Sequence, residues 1–223
     1  MRIAVWNTAF LGDSLLTLPL IRVIKAAWKD ADIDFYVRGG LESLYASQPE
    51  IAHVYGCYKR GRQKGLLAML AQARTVAIRR YDIWVDAHLS PRSTLMAWAS
   101  RARVRAGYNE AAFSRLAFTV RTSRRFNDLQ EIERLLLLAR SIGAPDSLLN
   151  DESVTWPELI LPQKAHDDAA KLLLDLPKGQ TVGLHPGSVW PTKRWTPQGY
   201  AGVLRHILDI GANAVLLDGP GEE

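Results

Sequence analysis

One cysteine, Cys57, stands among 223 residues. An intrachain disulfide framework and a cysteine-rich zinc site are therefore excluded. Long apolar runs are missing too, and nothing approaches the roughly 18 consecutive apolar residues of a membrane-spanning helix. The apolar stretch after Arg2 ends at Trp6, before Asn7 and Asp13, and is too short for the core of a secretory signal. Neither phosphate-loop signature, GxGxxG nor GxxxxGK[ST], is matched. No short-period repeat and no low-complexity tract appears. What remains is ordinary for a globular chain: 48% hydrophobic and 23% charged residues. At about 100–200 residues per domain, the length suits one large domain or one and a half. The expectation is a cytoplasmic globular protein with neither metal nor cofactor.

The net charge of +5 hides an asymmetry. Residues 1–150 hold 22 Lys and Arg against 13 Asp and Glu, whereas residues 151–223 hold 6 against 10. The first part is the one that would meet an anionic partner: nucleic acid, a phosphorylated glycolipid or a membrane surface.

Hydrophobic spacing predicts alternating strands and helices. Strands are expected at 2–6, 33–37, 51–55, 81–87 and, shorter, 103–107. Helices are expected at 14–28, 65–79, 91–100 and 129–142, with Pro19 limiting the first turns of the first. Gly143 and Pro145 end the last of these. Such alternation argues for an α/β fold with a parallel sheet covered on both faces. Residues 144–163 contain Pro145, Pro157 and Pro162 without periodicity and read as a linker. The alternation then restarts, with helices at 164–176 and 196–210 and strands at 181–185 and 213–217. The expected domains are 1–155 and a second, partial one at 156–223.

Several residues stand out chemically. Gly12-Asp13 lies where the first strand hands over to the first helix, the place where open α/β sheets bind ligands. Asp13 has two compatible readings, a helix N-cap or a general base facing the cleft. A helix N-terminus keeps a carboxylate ionised while lowering its basicity. His88 follows a strand end and is placed at the same crevice, although a lone histidine is more often structural. The segment His185-Pro186-Gly187-Ser188-Val189-Trp190-Pro191-Thr192-Lys193-Arg194-Trp195-Thr196-Pro197 follows a strand and opens a helix. Thr196 suits an N-cap and Pro197 a first helical residue. Free N–H groups there favour a phosphate, with Gly187 allowing close approach, Ser188 donating and Lys193 supplying charge. The plain alternative is a surface loop pinned by Trp190 and Trp195. The 59–64 stretch, with Arg60, Arg62 and Lys64, is either a solvated turn or an anion contact. Arg121, Arg124 and Arg125 form a more scattered basic group. The seven tryptophans are expected mostly in the core or as helix anchors.

Taken together, these motifs resemble the ADP-heptose:lipopolysaccharide heptosyltransferases, glycosyltransferase family 9. The resemblance is carried by Leu11-Gly12-Asp13 with Leu18-Pro19-Leu20, by Tyr81-Asp82-Ile83-Trp84-Val85-Asp86-Ala87-His88, by His185-Pro186-Gly187-Ser188 with Lys193-Arg194-Trp195, and by 216–222. It covers nearly the whole chain in order, and the HPGS…KRW block is its most specific part.

The resemblance implies a GT-B fold of two Rossmann-like domains, the second shortened here. It implies inverting transfer of a heptose from ADP-heptose to the anionic lipopolysaccharide core, peripherally at the inner face of the inner membrane. Asp13 then matches the general base and Lys193 the lysine at the leaving diphosphate. Gly187, Ser188 and Glu222 fall at the donor, with Glu223 as the fallback. Gly12, Arg60, Arg62, Lys64 and His88 fall at the acceptor. Two departures stand out: Gln130 takes the place of a usual histidine, and a family block completing the nucleotide site lies beyond the matched length. An unpaired edge in the second-domain sheet would invite dimerisation. Two other classes compete: an acceptor-binding module without catalysis, and a basic nucleic-acid-binding protein. The latter lacks any binding motif and interleaved aromatics.

Overall fold

The computed structural model describes residues 1–58, 65–188 and 190–219. The chain forms two compact units, Met1–Pro162 and Gln163–Glu223. Among the described residues no helix is long and apolar enough to cross a membrane.

The first unit begins with β1 (Arg2–Trp6), α1 (Leu11–Leu15), α2 (Leu18–Ala27), β2 (Asp32–Arg38), α3 (Glu42–Tyr45) and β3 (His53–Cys57). It continues with α4 (Leu66–Ile78), β4 (Ile83–Asp86), α5 (Pro91–Ser100), β5 (Val104–Tyr108), α6 (Ser114–Ala117), β6 (Val120–Thr122) and α7 (Glu131–Ser141). Its six strands form one sheet in the order β3-β2-β1-β4-β5-β6, and every pairing is parallel. The order reverses at β1, so the carboxyl ends of β1 and β4 flank the sheet's switch point, where such folds open a crevice.

Alternate side chains of each strand serve opposite cores, as the two-residue period of a strand requires. Ile3, Val5, Ile33, Phe35, Ile83 and Val85 pack with Leu20, Ile24, Leu135 and Leu138 from α2 and α7. Ala4, Trp6, Tyr36 and Trp84 pack on the other face with Val76, Met96 and Ala97 from α4 and α5. The doubly covered parallel sheet expected from the alternation is what the structure shows.

Three expectations are corrected. The single helix expected at 14–28 is two, α1 and α2, and Pro19 sits in the first turn of α2, where its missing N–H costs nothing. The third strand starts two residues later than expected, at His53. Residues 144–162 are not a free linker. They form α8 (Asp146–Leu149) and α9 (Glu152–Thr155), and Leu148, Leu149, Val154 and Leu159 pack on the α2/α7 core. Arg22 on α2 donates to the carbonyls of Ser153 and Trp156 at 2.8 and 3.0 Å. Gln48 donates to the Ile160 carbonyl at 2.8 Å and accepts from its N–H at 3.3 Å. These bonds carry the first unit to Pro162, where the expected boundary lay between residues 155 and 156.

The second unit holds α10 (Gln163–Leu173), β7 (Thr181–Leu184), a 3₁₀ turn at Pro191–Lys193, α11 (Pro197–Asp209) and β8 (Asn213–Leu216). The two strands pair in parallel. Leu184, Ile207 and Ala212 are its buried apolar centre.

The tryptophans also depart from expectation. Trp6 and Trp84 are fully buried, but Trp98, Trp156, Trp190 and Trp195 are each more than half exposed.

Candidate functional site

The loop leaving β1 is held from inside. Asn7 is buried. Its amide donates to the Asp13 carbonyl at 3.1 Å and to Thr17 Oγ1 at 2.8 Å, and its Oδ1 accepts from the Ala9 N–H. Asn7 thus ties the strand end to both helices that follow it. Ser14 adds a second tether, since its Oγ lies 2.7 Å from the Tyr45 hydroxyl.

Asp13 stands at the third residue of α1, not at its N-cap. Its Oδ2 accepts from the Phe10 N–H at 3.1 Å, closing the first turn. The capping role and the orientation of the carboxylate are thus one contact. Oδ1 takes no hydrogen bond among the described residues. Gly12 is exposed, and a Cβ built on it would meet nothing within 4 Å. Packing therefore does not demand a glycine there.

His88 follows β4 and reaches the β1 loop, with Nδ1 3.2 Å from Thr8 Oγ1. A cleft of about 420 Å³ is lined by His88, Thr8, Phe10, Arg38, Cys57 and Tyr58, among others. The Arg38 guanidinium stacks over the Phe10 ring, 5.2 Å from its centroid. The sequence reading placed His88 at the β1 crevice, and the structure brings it to the β1 loop.

Asp86, the last residue of β4, is the buried anchor of this side. Its Oδ1 accepts from the His88 N–H at 3.0 Å, while Oδ2 has no partner among the described residues. Burial pushes its carboxyl well above the ordinary carboxylate range, against the opposing hydrogen bond from the His88 N–H. Ser93 Oγ in turn donates to the His88 carbonyl at 2.7 Å. The backbone at His88 is thus gripped from both ends. Asn7 and Thr8 are site-shaping residues that sequence reasoning did not single out, and Asp86 stood in the strand motif without a role of its own. A polar residue closing an apolar strand, as Asp86 closes Ile83–Asp86, was the available signal.

The second candidate site is the loop from β7 to α11. His185 Nδ1 lies 3.0 Å from the Leu217 carbonyl, joining the carboxyl ends of β7 and β8. Ser188 is half-buried; its Oγ accepts from the Trp190 N–H at 3.3 Å and its carbonyl accepts from Arg194 Nε at 2.6 Å. Thr196 is the N-cap of α11, its Oγ1 accepting from the Gly199 N–H at 3.1 Å, and Pro197 opens the helix. Trp195 lies on Gly199, where a Cβ would stand 2.5 Å from the indole, and packs edge-on against Tyr200 at 5.5 Å. Lys193 is exposed at the end of the 3₁₀ turn. Trp195 therefore does pin the loop, on which Lys193 is exposed and Ser188 half-buried. Arg60, Arg62, Lys64, Glu222 and Glu223 lie outside the described residues.

Comparison with known proteins identifies the family and the fold. The family model for glycosyltransferase family 9 (heptosyltransferase) matches residues 69–223. A family 9 glycosyl transferase from Veillonella parvula superposes with a TM-score of 0.82 at 21% identity, over 98% of this chain and 62% of that one. The ADP-heptose lipopolysaccharide heptosyltransferase II of E. coli gives 0.74 at 20% identity, over 97% and 64%. E. coli heptosyltransferase WaaC, solved with ADP, gives 0.70 at 18% identity, over 97% and 67%. These likenesses establish the fold, and the chain spans less than two-thirds of the length of the first two structures. No curated protein matches the sequence. The family match covers well over half of the chain, including the β4 crevice and the whole second unit: the protein belongs to glycosyltransferase family 9, the heptosyltransferases.

Proposed function

We propose that the protein is an inverting glycosyltransferase that moves a heptose from ADP-heptose to the anionic inner core of lipopolysaccharide at the inner face of the inner membrane. The observation that carries the reading is the β7–α11 loop. It combines a capped helix N-terminus, the Ser188 hydroxyl and an exposed Lys193 in one loop. A diphosphate is the ligand that such a combination suits. WaaC, similar in fold, is a structure with ADP.

In this reading the acceptor hydroxyl approaches α1 over Gly12, whose missing side chain leaves room that packing does not require. Asp13 takes the hydroxyl proton through the carboxylate oxygen not committed to the Phe10 N–H as the hydroxyl attacks the anomeric carbon. Lys193 and the Gln198 N–H, the first-turn amide of α11 not taken by Thr196, stabilise the charge growing on the departing diphosphate, and Gly187 and Ser188 hold it. His88 lines the acceptor side, as Arg60, Arg62, Lys64 and, at the donor, Glu222 would by the resemblance. No covalent intermediate is needed, since a single displacement inverts the centre.

Donor binding separates this from a non-catalytic acceptor-binding module. Calorimetry with ADP-heptose is expected to show binding, weakened about ten- to a hundredfold in Lys193→Ala, the range of a lost charge-assisted hydrogen bond. Unchanged affinity in that variant would remove Lys193 from the donor site.

A further inference from the structure

The face of the first unit formed by α4, α5 and α6 carries two grooves side by side. One, of about 770 Å³, runs along the ends of α4 and α5 and is lined by Arg74, Ile78, Arg80, Trp98, Arg101 and Arg105, among others. The other, of about 350 Å³, lies between α5 and α6 and is lined by Met69, Arg92, Leu95, Trp98, Phe113 and Leu116, among others. Trp98 borders both. Around them Leu67, Leu70, Ile78, Trp98, Phe113 and Leu116 are all at least half exposed, Leu67 to 83%. Singly exposed apolar residues are ordinary, but six on three adjacent helices are not. Phe113 is held outward with φ at +58°, a left-handed conformation unusual for an aromatic residue.

The charge on this face has one sign. From Gly65 to Asn127 the sequence has eleven arginines, no lysine and three acids. The acids are already engaged. Asp86 is buried, Asp82 accepts from the Arg2 N–H, and Glu110 holds Ser123 and Arg124. Arg74, Arg80 and Arg101 form no ion pair among the described residues.

Aliphatic and aromatic side chains among unpaired arginines select the occupant. Nucleic acid would satisfy the arginines but leave Leu67, Leu70 and Leu116 in water. A second copy meeting this face through a two-fold axis would set arginines against arginines. An anionic bilayer satisfies both sets at once: phosphates for the guanidinium groups and the headgroup–acyl boundary for Trp98 and the leucines. We propose that the α4–α5–α6 face docks on an anionic lipid surface, with Trp98, Phe113 and the leucines inserted and Arg74, Arg80 and Arg101 on lipid phosphates. The inference deepens the proposed membrane location and rests on that reading; donor and acceptor play no part in it, so vesicle binding and sugar transfer can fail separately.

The test is co-sedimentation of the 223-residue chain with vesicles of phosphatidylcholine, pure or with about one-third phosphatidylglycerol. Two double variants are compared, Trp98→Ser with Leu116→Ser and Arg74→Gln with Arg101→Gln. All four side chains are exposed, and circular dichroism confirms folding. Binding to the anionic vesicles is expected to exceed that to neutral ones by at least about tenfold and to weaken with salt. Each double variant should lose about tenfold. Equal binding to both vesicles, no binding, or variants that bind like the parent would overturn the proposal. So would a fall in sedimentation-velocity mass in the apolar variant, which would make a second copy the occupant. Duplex RNA binding lost in the arginine variant while vesicle binding persists would assign the arginines to nucleic acid and overturn it as well.

Discussion

Asp86 shows how much of the candidate site rests on single buried contacts. Its carboxyl is held well above the ordinary range chiefly by burial, so between the two states it is the folded one that binds the proton more tightly. Starting from the unfolded value near 3.9, its contribution to stability declines as pH rises towards the folded value and is constant beyond it. Asp86→Asn removes that decline. Thermal melts of parent and variant at pH values from about 4 to 7 should show the difference between them shifting steadily in the variant's favour as pH rises. A constant difference would mean that Asp86 is ionised in the fold. The same residue marks what a sequence reading misses. Asp13 and His88 were legible because each follows an apolar strand run. Asn7, Thr8 and Asp86 were not, because their roles depend on partners such as Thr17 and His88 whose placement follows from the finished sheet.

At the level of elements, the long apolar strands and helices were legible, and the short pieces were not. β1, β2 and β4 are buried apolar runs, and α5, α7 and α11 carry clear starts and stops. α3, α6, α8 and α9 are single turns, too short to show a helical period. β6 spans only Val120–Thr122, and only its pairing with β5 defines it. That pairing exposes a packing constraint at Gly107. A Cβ there would lie 2.3 Å from the Phe118 ring, and Phe118 is buried. The ring covers a glycine in the strand and cannot swing into solvent. Gly107→Ala should therefore cost about 1–3 kcal/mol, the range of an overpacked core, read as a lower denaturant midpoint with unchanged slope. A midpoint equal to the parent's would show that the β5/β6 edge relaxes freely around Phe118.

As a whole molecule, the chain is uneven. The first unit has two buried clusters on opposite sides of a six-stranded sheet, and the second has Leu184, Ile207 and Ala212 under two strands. Opening free energy follows buried apolar contact. Native-state amide exchange should therefore protect β1, β2 and β4 far longer than β7 and β8, by more than about tenfold. Equal protection would mean that the two units unfold together. The same unevenness bears on the proposed chemistry, because the base stands on the well-packed unit and the diphosphate loop on the lightly packed one.

The reading of the protein as a heptosyltransferase meets its test in the reaction itself. The chain is incubated with ADP-heptose and heptose-free lipopolysaccharide core, and the acceptor's mass is followed. The expected result is one heptose added, with the rate reduced at least about a hundredfold in Asp13→Ala, the lower bound for a lost general base, while that variant binds donor as the parent does. Heptose transfer at the parental rate in Asp13→Ala, or an acceptor of unchanged mass despite donor binding by the parent chain, would contradict it.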